Sequence, residues 1–177
     1  RRILFVSRLF PRKGAQYLLE ALAGLPHDGW EITIAGDGPS MAQLQQQARD
    51  AGLTVDWRGF IKGPQLEELY ATSAIFALPS TCDNFPVVLQ EALAGGCAVV
   101  TTDMSGMPEV VGDAGLLTPP RDVSALRAAL ARLMGDDALR AELSELARAQ
   151  IARFAWDGVT KRYLDLYARL GQCRRSP

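Results

Sequence analysis

Histidine, cysteine and long apolar runs are all scarce in this sequence, and each scarcity excludes a class of protein. The single histidine, His27, lies in a turn-like segment, so a catalytic triad built on histidine is not available within the chain. The cysteines are odd in number and match neither a disulfide framework nor a zinc site by their spacing; they are Cys82, Cys97 and Cys173. This pattern predicts a reducing, cytoplasmic compartment.

The distribution of apolar and charged residues indicates neither a membrane span nor a nucleic-acid-binding surface. A spanning helix needs about 18 or more apolar residues in succession, and no stretch approaches that length. The formal net charge of −1 offers no general attraction for nucleic acid. We therefore expect no nucleic-acid partner, and the sequence leaves open a peripheral attachment of the full-length protein to a membrane.

The composition is that of a globular domain, with 177 residues of which 48% are hydrophobic and 22% charged. The chain begins directly in a predicted strand, without a methionine and without the apolar core of a signal peptide. We interpret it as one domain of a longer protein.

Short apolar runs alternate with amphipathic segments along most of the chain. Parallel strands covered on both faces are predicted at 2–7, 31–35, 55–58, 74–78, 98–101 and 115–117. Helices are predicted at 15–23, 41–51, 64–72, 87–94, 107–111, 122–134, 137–151 and 156–170. This order predicts an α/β fold with a doubly wound, Rossmann-like parallel sheet. We expect one body over about 1–155, followed by a terminal amphipathic helix at about 156–170.

Ligands of such sheets bind at the carboxyl ends of the strands, where four loops here carry unusual residues. The first loop, at 7–14, reads SRLFPRKG and places Arg8, Arg12 and Lys13 between a strand and a helix. This cluster either binds a phosphate dianion or is a solvated basic loop. It has neither the glycine pattern of a dinucleotide-binding fingerprint nor the lysine-hydroxyl pair of a Walker loop.

The next two loops are bracketed by glycines. The sequence AGDGP at 35–39 allows close approach to a ligand or to another domain, although taken alone it favours a plain turn. In RGFIKG at 58–63, Phe60 and Ile61 are candidates for a wall beside a flat base, and packing in the core is the alternative.

The fourth loop, PSTCDNFPVVLQEALAGG at 79–96, is the most informative. Pro86 suits the first helical position, so the free N–H groups of Val87 and Val88 are expected to face the crevice and attract a phosphate. Asp83 precedes the helix and Glu91 lies about one and a half turns inside it, where their carboxylates suit sugar hydroxyls. A helix cap and a solvated face are the structural alternatives for these two residues.

Together these loops resemble the carboxy-terminal domain of the group-1 glycosyltransferases, a retaining family with the GT-B fold. The family pattern Gly-Arg-Leu-x-x-x-Lys-Gly is similar to residues 7–14, and Gly-x-Gly-Pro is similar to residues 36–39. Two family glutamates separated by seven residues, followed by Ala-x-Ala-x-Gly, resemble residues 83–96. TDMSGMPEVV at 102–111 and FAWD at 154–157 are similar to later family motifs, so the resemblance covers roughly 3–170.

The resemblance implies roles around the donor phosphates and sugar. Arg8 and Lys13 would bind the diphosphate and stabilise charge on the leaving nucleotide. Asp83 would contact the donor sugar, which completes the predicted catalytic set. The N–H groups of Val87 and Val88 would meet the phosphates.

Further substrate contacts follow from the same resemblance. Glu91 would hold the ribose hydroxyls, and the backbone at Phe60 and Ile61 would lie beside the base. Backbone groups of Asn84 and Phe85 would assist at the sugar.

Two positions depart from the family pattern, and a third position, Glu109, matches the pattern but is given no role in ligand binding. Asp83 stands where the family usually has glutamate, one methylene longer, and Ser7 replaces a glycine. We interpret Glu109, in the later motif, as structural.

The implied activity of the full-length protein is that of a retaining hexosyltransferase. The donor would be a UDP-, GDP- or ADP-sugar, with no metal and no cofactor. The acceptor site would belong to the protein's own amino-terminal domain, so we expect the isolated domain to be inactive. The alternatives are a GT-B nucleotide-sugar epimerase, a phosphorylase-like enzyme and a non-catalytic nucleotide-binding module.

Overall fold

A six-stranded parallel sheet forms the centre of the computed structural model, which describes residues 1–173. The strands are β1 (Arg2–Val6), β2 (Glu31–Ala35), β3 (Val55–Gly59), β4 (Ile75–Leu78), β5 (Ala98–Thr102) and β6 (Gly115–Thr118). Their spatial order is β3-β2-β1-β4-β5-β6. The predicted doubly wound fold is therefore confirmed, and the strand order reverses between β1 and β4.

Helices cover both faces of this sheet. They are α1 (Ala15–Ala23), α2 (Met41–Asp50), α3 (Pro64–Thr72), α4 (Val87–Ala94), α5 (Met107–Val111), α6 (Val123–Gly135), α7 (Asp137–Ala152) and α8 (Trp156–Cys173), and a short 3₁₀ turn spans Pro11–Lys13. One layer contains α1, α2 and α6, and the other contains α3, α4, α5 and α7.

The strands at the centre of the sheet are apolar because both of their faces are covered. Phe5 of β1 and Phe76 of β4 are fully buried. The edge strand β3 alternates between half-buried and exposed residues instead. On α1 the stripe formed by Leu18, Leu19 and Leu22 is fully buried, as its helical spacing predicts.

Every predicted strand and helix is present, with ends that differ by at most three residues. One difference affects a predicted role. Pro86 is not the first helical residue, because its extended backbone (φ −71°, ψ 119°) makes it the N-cap, and α4 begins at Val87. The two free N–H groups at the helix start still belong to Val87 and Val88.

The terminal helix α8 leaves most of its large apolar side chains exposed. Trp156 is 83% exposed, and the exposed set also includes Tyr163, Leu164, Leu166, Tyr167 and Leu170. Within residues 1–173, no helix has the length and hydropathy needed to cross a membrane.

Candidate functional site

The loops that follow β1, β2 and β4 contact one another through their backbones. A Cβ atom at Gly36 (φ 136°) would lie 1.8 Å from the carbonyl oxygen of Ser7, and one at Gly14 (φ 82°) would lie 1.9 Å from that of Pro79. Only glycine permits such approaches together with these φ angles. The close approach predicted for the second loop is thus made to the chain's own first loop.

Hydrogen bonds reinforce these contacts. The Leu9 N–H donates to the Asp37 carbonyl oxygen at 2.9 Å, and the Thr81 N–H donates to the Arg12 carbonyl oxygen at 2.7 Å. The hydroxyl of Ser80, which is fully buried, donates to the same Arg12 oxygen at 3.0 Å. The first loop is therefore held from both sides at the carboxyl edge of the sheet.

A cavity of about 650 Å³ opens at this edge. The cavity is lined by the loops after β1, β2 and β3 and by one side of α4. Five of the predicted site residues line it, namely Arg8, Phe60, Ile61, Val88 and Glu91. The cavity lies where the strand order reverses, which is the usual ligand position in an open α/β sheet.

Phe60 stands at the rim of this cavity with 75% of its surface exposed, so the alternative that it packs in the core is wrong. Ile61 is half-buried and packs against the core while it also lines the cavity. An aromatic side chain that stays exposed beside a cavity is suited to contact a flat ligand.

Arg8 brings a positive charge to the cavity. Its guanidinium carbon lies 4.9 Å from the centre of the Phe10 ring, and the side chain is exposed. Arg12 packs on the same ring, at 5.4 Å, but does not line the cavity. Among the described residues Arg8 forms no ion pair, so its hydrogen-bond donors remain available for an anion.

Lys13 and Asp83 form an ion pair with each other. The Lys13 Nζ donates to Asp83 Oδ1 at 2.8 Å and to Oδ2 at 2.7 Å, and each side chain is only 15% exposed. Asp83 therefore does not cap α4. The residue predicted for the diphosphate and the residue predicted for the sugar thus pair with each other, and neither lines the cavity described above.

The loop that carries Asp83 continues through Asn84 and Phe85, which stand outside the cavity lining. The Phe85 ring meets the Phe154 ring edge to face, with centroids 5.5 Å apart. A Cβ atom at Gly106 would lie 1.9 Å from the Asn84 carbonyl oxygen. Contacts from two later family-like motifs thus support this loop.

The two valines at the start of α4 lie in different surroundings. Val88 lines the cavity, whereas Val87 is 61% exposed and does not. No described residue accepts a hydrogen bond from either N–H group. These donors and the positive end of the helix dipole remain available to an anion.

Glu91 lies inside α4 and lines the cavity, so it is not a residue of a solvated face. Its Oε2 accepts a hydrogen bond from the Tyr70 hydroxyl at 2.9 Å. Tyr70 was not among the predicted site residues, and no local pattern distinguishes it from an ordinary core tyrosine of α3. Burial, and then the negative charge of Glu91, raises the pKa of Tyr70 well above its ordinary value.

Two further observations complete the site. Within the described part of the chain, no group of three histidine, cysteine, aspartate or glutamate side chains is arranged to hold a metal ion. Glu109 is exposed at the start of α5.

Comparison with known proteins identifies the family. Residues 1–150 match the model of the glycosyl transferases group 1, and the chain belongs to this family. The match favours the transferase interpretation over an epimerase, a phosphorylase-like enzyme or a non-catalytic module.

Individual relatives and a solved structure show how far the similarity extends. The chain is 36% identical to the exopolysaccharide phosphotransferase SCO2592 of Streptomyces coelicolor, covering 99% of this chain and 19% of that protein. It is 29% identical to the O-antigen chain mannosyltransferase B of Escherichia coli, covering 94% and 45%. Anabaena Alr3699/HepE, crystallised in complex with UDP, superposes with a TM-score of 0.83 at 28% identity, covering 95% and 48%. The chain thus spans less than half the length of each.

Proposed function

We propose that this chain is the donor-binding domain of a glycosyltransferase that moves a sugar from a nucleoside diphosphate sugar to an acceptor with retention of configuration. One observation carries the proposal: a single cavity at the reversal point of the sheet brings together the cationic side chain of Arg8, Val88 at the start of α4 and the carboxylate of Glu91. These three features match the diphosphate and the ribose of such a donor.

The diphosphate would lie between Arg8 and the start of α4. Arg8 donates charge-assisted hydrogen bonds, and the N–H of Val88 adds a donor at the positive end of the helix. Lys13 would join them once it leaves Asp83. Transfer leaves a nucleoside diphosphate with a new negative charge, and these groups would stabilise that charge in place of a metal ion.

The nucleoside would occupy the side of the cavity formed by Phe60, Ile61 and Glu91. Phe60 offers an apolar face to the base, and the Glu91 carboxylate would accept hydrogen bonds from the ribose hydroxyls. Asn84 and Phe85, next to Asp83, would border the sugar through their backbone.

The relatives support a nucleotide-sugar ligand. Alr3699/HepE has also been crystallised with UDP-glucose. We retain UDP-, GDP- and ADP-sugars as candidate donors. Because this chain spans less than half the length of the relatives named above, we further propose that an amino-terminal domain of the same protein supplies the acceptor site.

The test is a thermal-shift screen of the chain against UDP, GDP and ADP and their glucose and mannose conjugates. A ligand that binds only the folded chain raises its stability by mass action, by about 2.7 kcal/mol at a hundredfold excess over Kd. We expect the ligands that carry one of the three bases to raise the melting temperature more than the others do, and the nucleoside with that base to raise it less. An unchanged melting temperature with all of these ligands at millimolar concentration would contradict the proposal.

A further inference from the structure

The carboxylate of Glu91 is held by a buried residue of the neighbouring helix. Tyr70 lies in the last turn of α3, is 3% exposed, and donates its hydroxyl to Glu91 Oε2 at 2.9 Å. Glu91 and Leu66 of α3 line both the main cavity and a second cavity of about 370 Å³, which Tyr70 also lines. Tyr70 thus reaches the site from the side opposite the proposed ligand.

The position of the Tyr70 ring is fixed by close packing. A Cβ atom at Gly95 would lie 2.7 Å from the Tyr70 Cβ, so glycine is what allows α3 and the end of α4 to approach here. The ring also packs against Phe76 of β4, with centroids 5.7 Å apart, and the Cys97 Sγ lies 3.2 Å from the Tyr70 carbonyl oxygen. Contacts at the Cβ, at the backbone carbonyl and at the ring together restrict where the Tyr70 hydroxyl can lie.

The direction of this hydrogen bond is also fixed. The raised pKa of Tyr70 keeps the phenol protonated, so it donates and the carboxylate accepts. An ionised carboxylate has about four acceptor positions, and Tyr70 occupies one of them on Oε2. The remaining acceptor positions are free to receive hydroxyl groups from the cavity.

We propose that Tyr70 is a positioning residue that orients the Glu91 carboxylate to accept two hydroxyl groups of a ribose. This inference rests on the proposed function, since it concerns the same nucleoside subsite. Without the phenol, the carboxylate must be ordered by the ligand itself, and that ordering costs binding free energy.

The test removes the hydroxyl group alone, by Tyr70→Phe, and keeps the ring that packs against Phe76. The probes are UDP, GDP and ADP, each compared with its 2′,3′-dideoxy form by calorimetry. For the diphosphate that binds, we expect Tyr70→Phe to weaken affinity about threefold to tenfold, with less than a twofold change for the dideoxy form. Tyr163→Phe, which removes an exposed tyrosine hydroxyl on α8, is the matched control and should bind both forms as wild type does.

Glu91→Gln separates this inference from the proposed function. If Glu91 contacts the ribose, Glu91→Gln weakens only the ribose-bearing form, and adding Tyr70→Phe to it causes little further loss because both changes act through one carboxylate. If Glu91→Gln has no effect on either form, the proposed ribose contact itself is wrong. If Glu91→Gln acts as expected while Tyr70→Phe leaves both forms unchanged, or weakens both equally, Tyr70 is structural and only the present inference is overturned.

Discussion

The ion pair between Lys13 and Asp83 allows a quantitative prediction about the stability of the fold. The perturbations are Asp83→Asn and Lys13→Met, made singly and together. An exposed ion pair contributes about 0.2–1 kcal/mol, and breaking a fully buried one costs about 3–5 kcal/mol. Because both side chains keep 15% of their exposure and share two short contacts, we expect a coupling free energy of about 1–2 kcal/mol.

Urea denaturation, followed by tryptophan fluorescence, measures this coupling as the difference between the double variant and the sum of the single variants. If the two single changes add to within about 0.3 kcal/mol, the two residues act independently and the pair contributes nothing to stability.

The same variants show whether the ion pair competes with the donor. Lys13 must leave Asp83 before it can bind a diphosphate. Asp83→Asn should therefore bind a nucleoside diphosphate at least as tightly as wild type, whereas Lys13→Met should bind it about tenfold or more weakly, the loss of one charge-assisted contact. Asp83→Asn should still lower affinity for the sugar-bearing donor. If calorimetry finds that Asp83→Asn weakens diphosphate binding as much as Lys13→Met does, the competition argument is wrong and Asp83 instead orients Lys13.

Three further predictions follow. Arg8→Ala should weaken nucleoside diphosphate binding about tenfold or more and leave nucleoside binding unchanged. Arg12→Ala, which removes the other arginine stacked on Phe10, should change the binding of neither ligand. If calorimetry finds that Arg8→Ala weakens both ligands equally, Arg8 does not contact the phosphate. The isolated chain should bind donor but transfer no sugar, and sustained product formation in a radiolabel assay would refute the two-domain proposal. Gly36→Ala should lower the free energy of unfolding by about 3 kcal/mol or more, because its Cβ would overlap the Ser7 carbonyl oxygen. Gly52 has φ 69° and open space around it, so Gly52→Ala should lower the free energy of unfolding by only about 1 kcal/mol. The urea assay described above measures both changes.

Most of the fold could be predicted because its signals are local. Central parallel strands bury both faces and are therefore mostly apolar, as β4 is throughout its length. Helix ends were predicted less exactly, since they depend on backbone angles that residue types only bias. Pro86 shows this: its ring fixes φ for either position, and the extended ψ of 119° makes it the N-cap.

The candidate site was predicted less completely, because its contacts join distant parts of the chain. The motifs indicate Arg8 and Glu91, both of which line the cavity, and their roles toward a ligand stay predictions. Nothing in the sequence showed that Lys13 pairs with Asp83, 70 positions away, or that Tyr70 bonds to Glu91, 21 positions away. Tyr70 resembles any buried tyrosine until the packing of α3 on α4 is known.

The edge-to-face contact between Phe85 and Phe154 joins two segments that are far apart in the sequence. Phe154 lies in the short connection between α7 and α8, and Phe85 lies in the loop between Asp83 and α4. The loop between Asp83 and α4 is therefore packed against the connection that leads into α8. Such a contact is worth about 0.5–1.5 kcal/mol, so the loop depends on the carboxy-terminal part of the chain for part of its support.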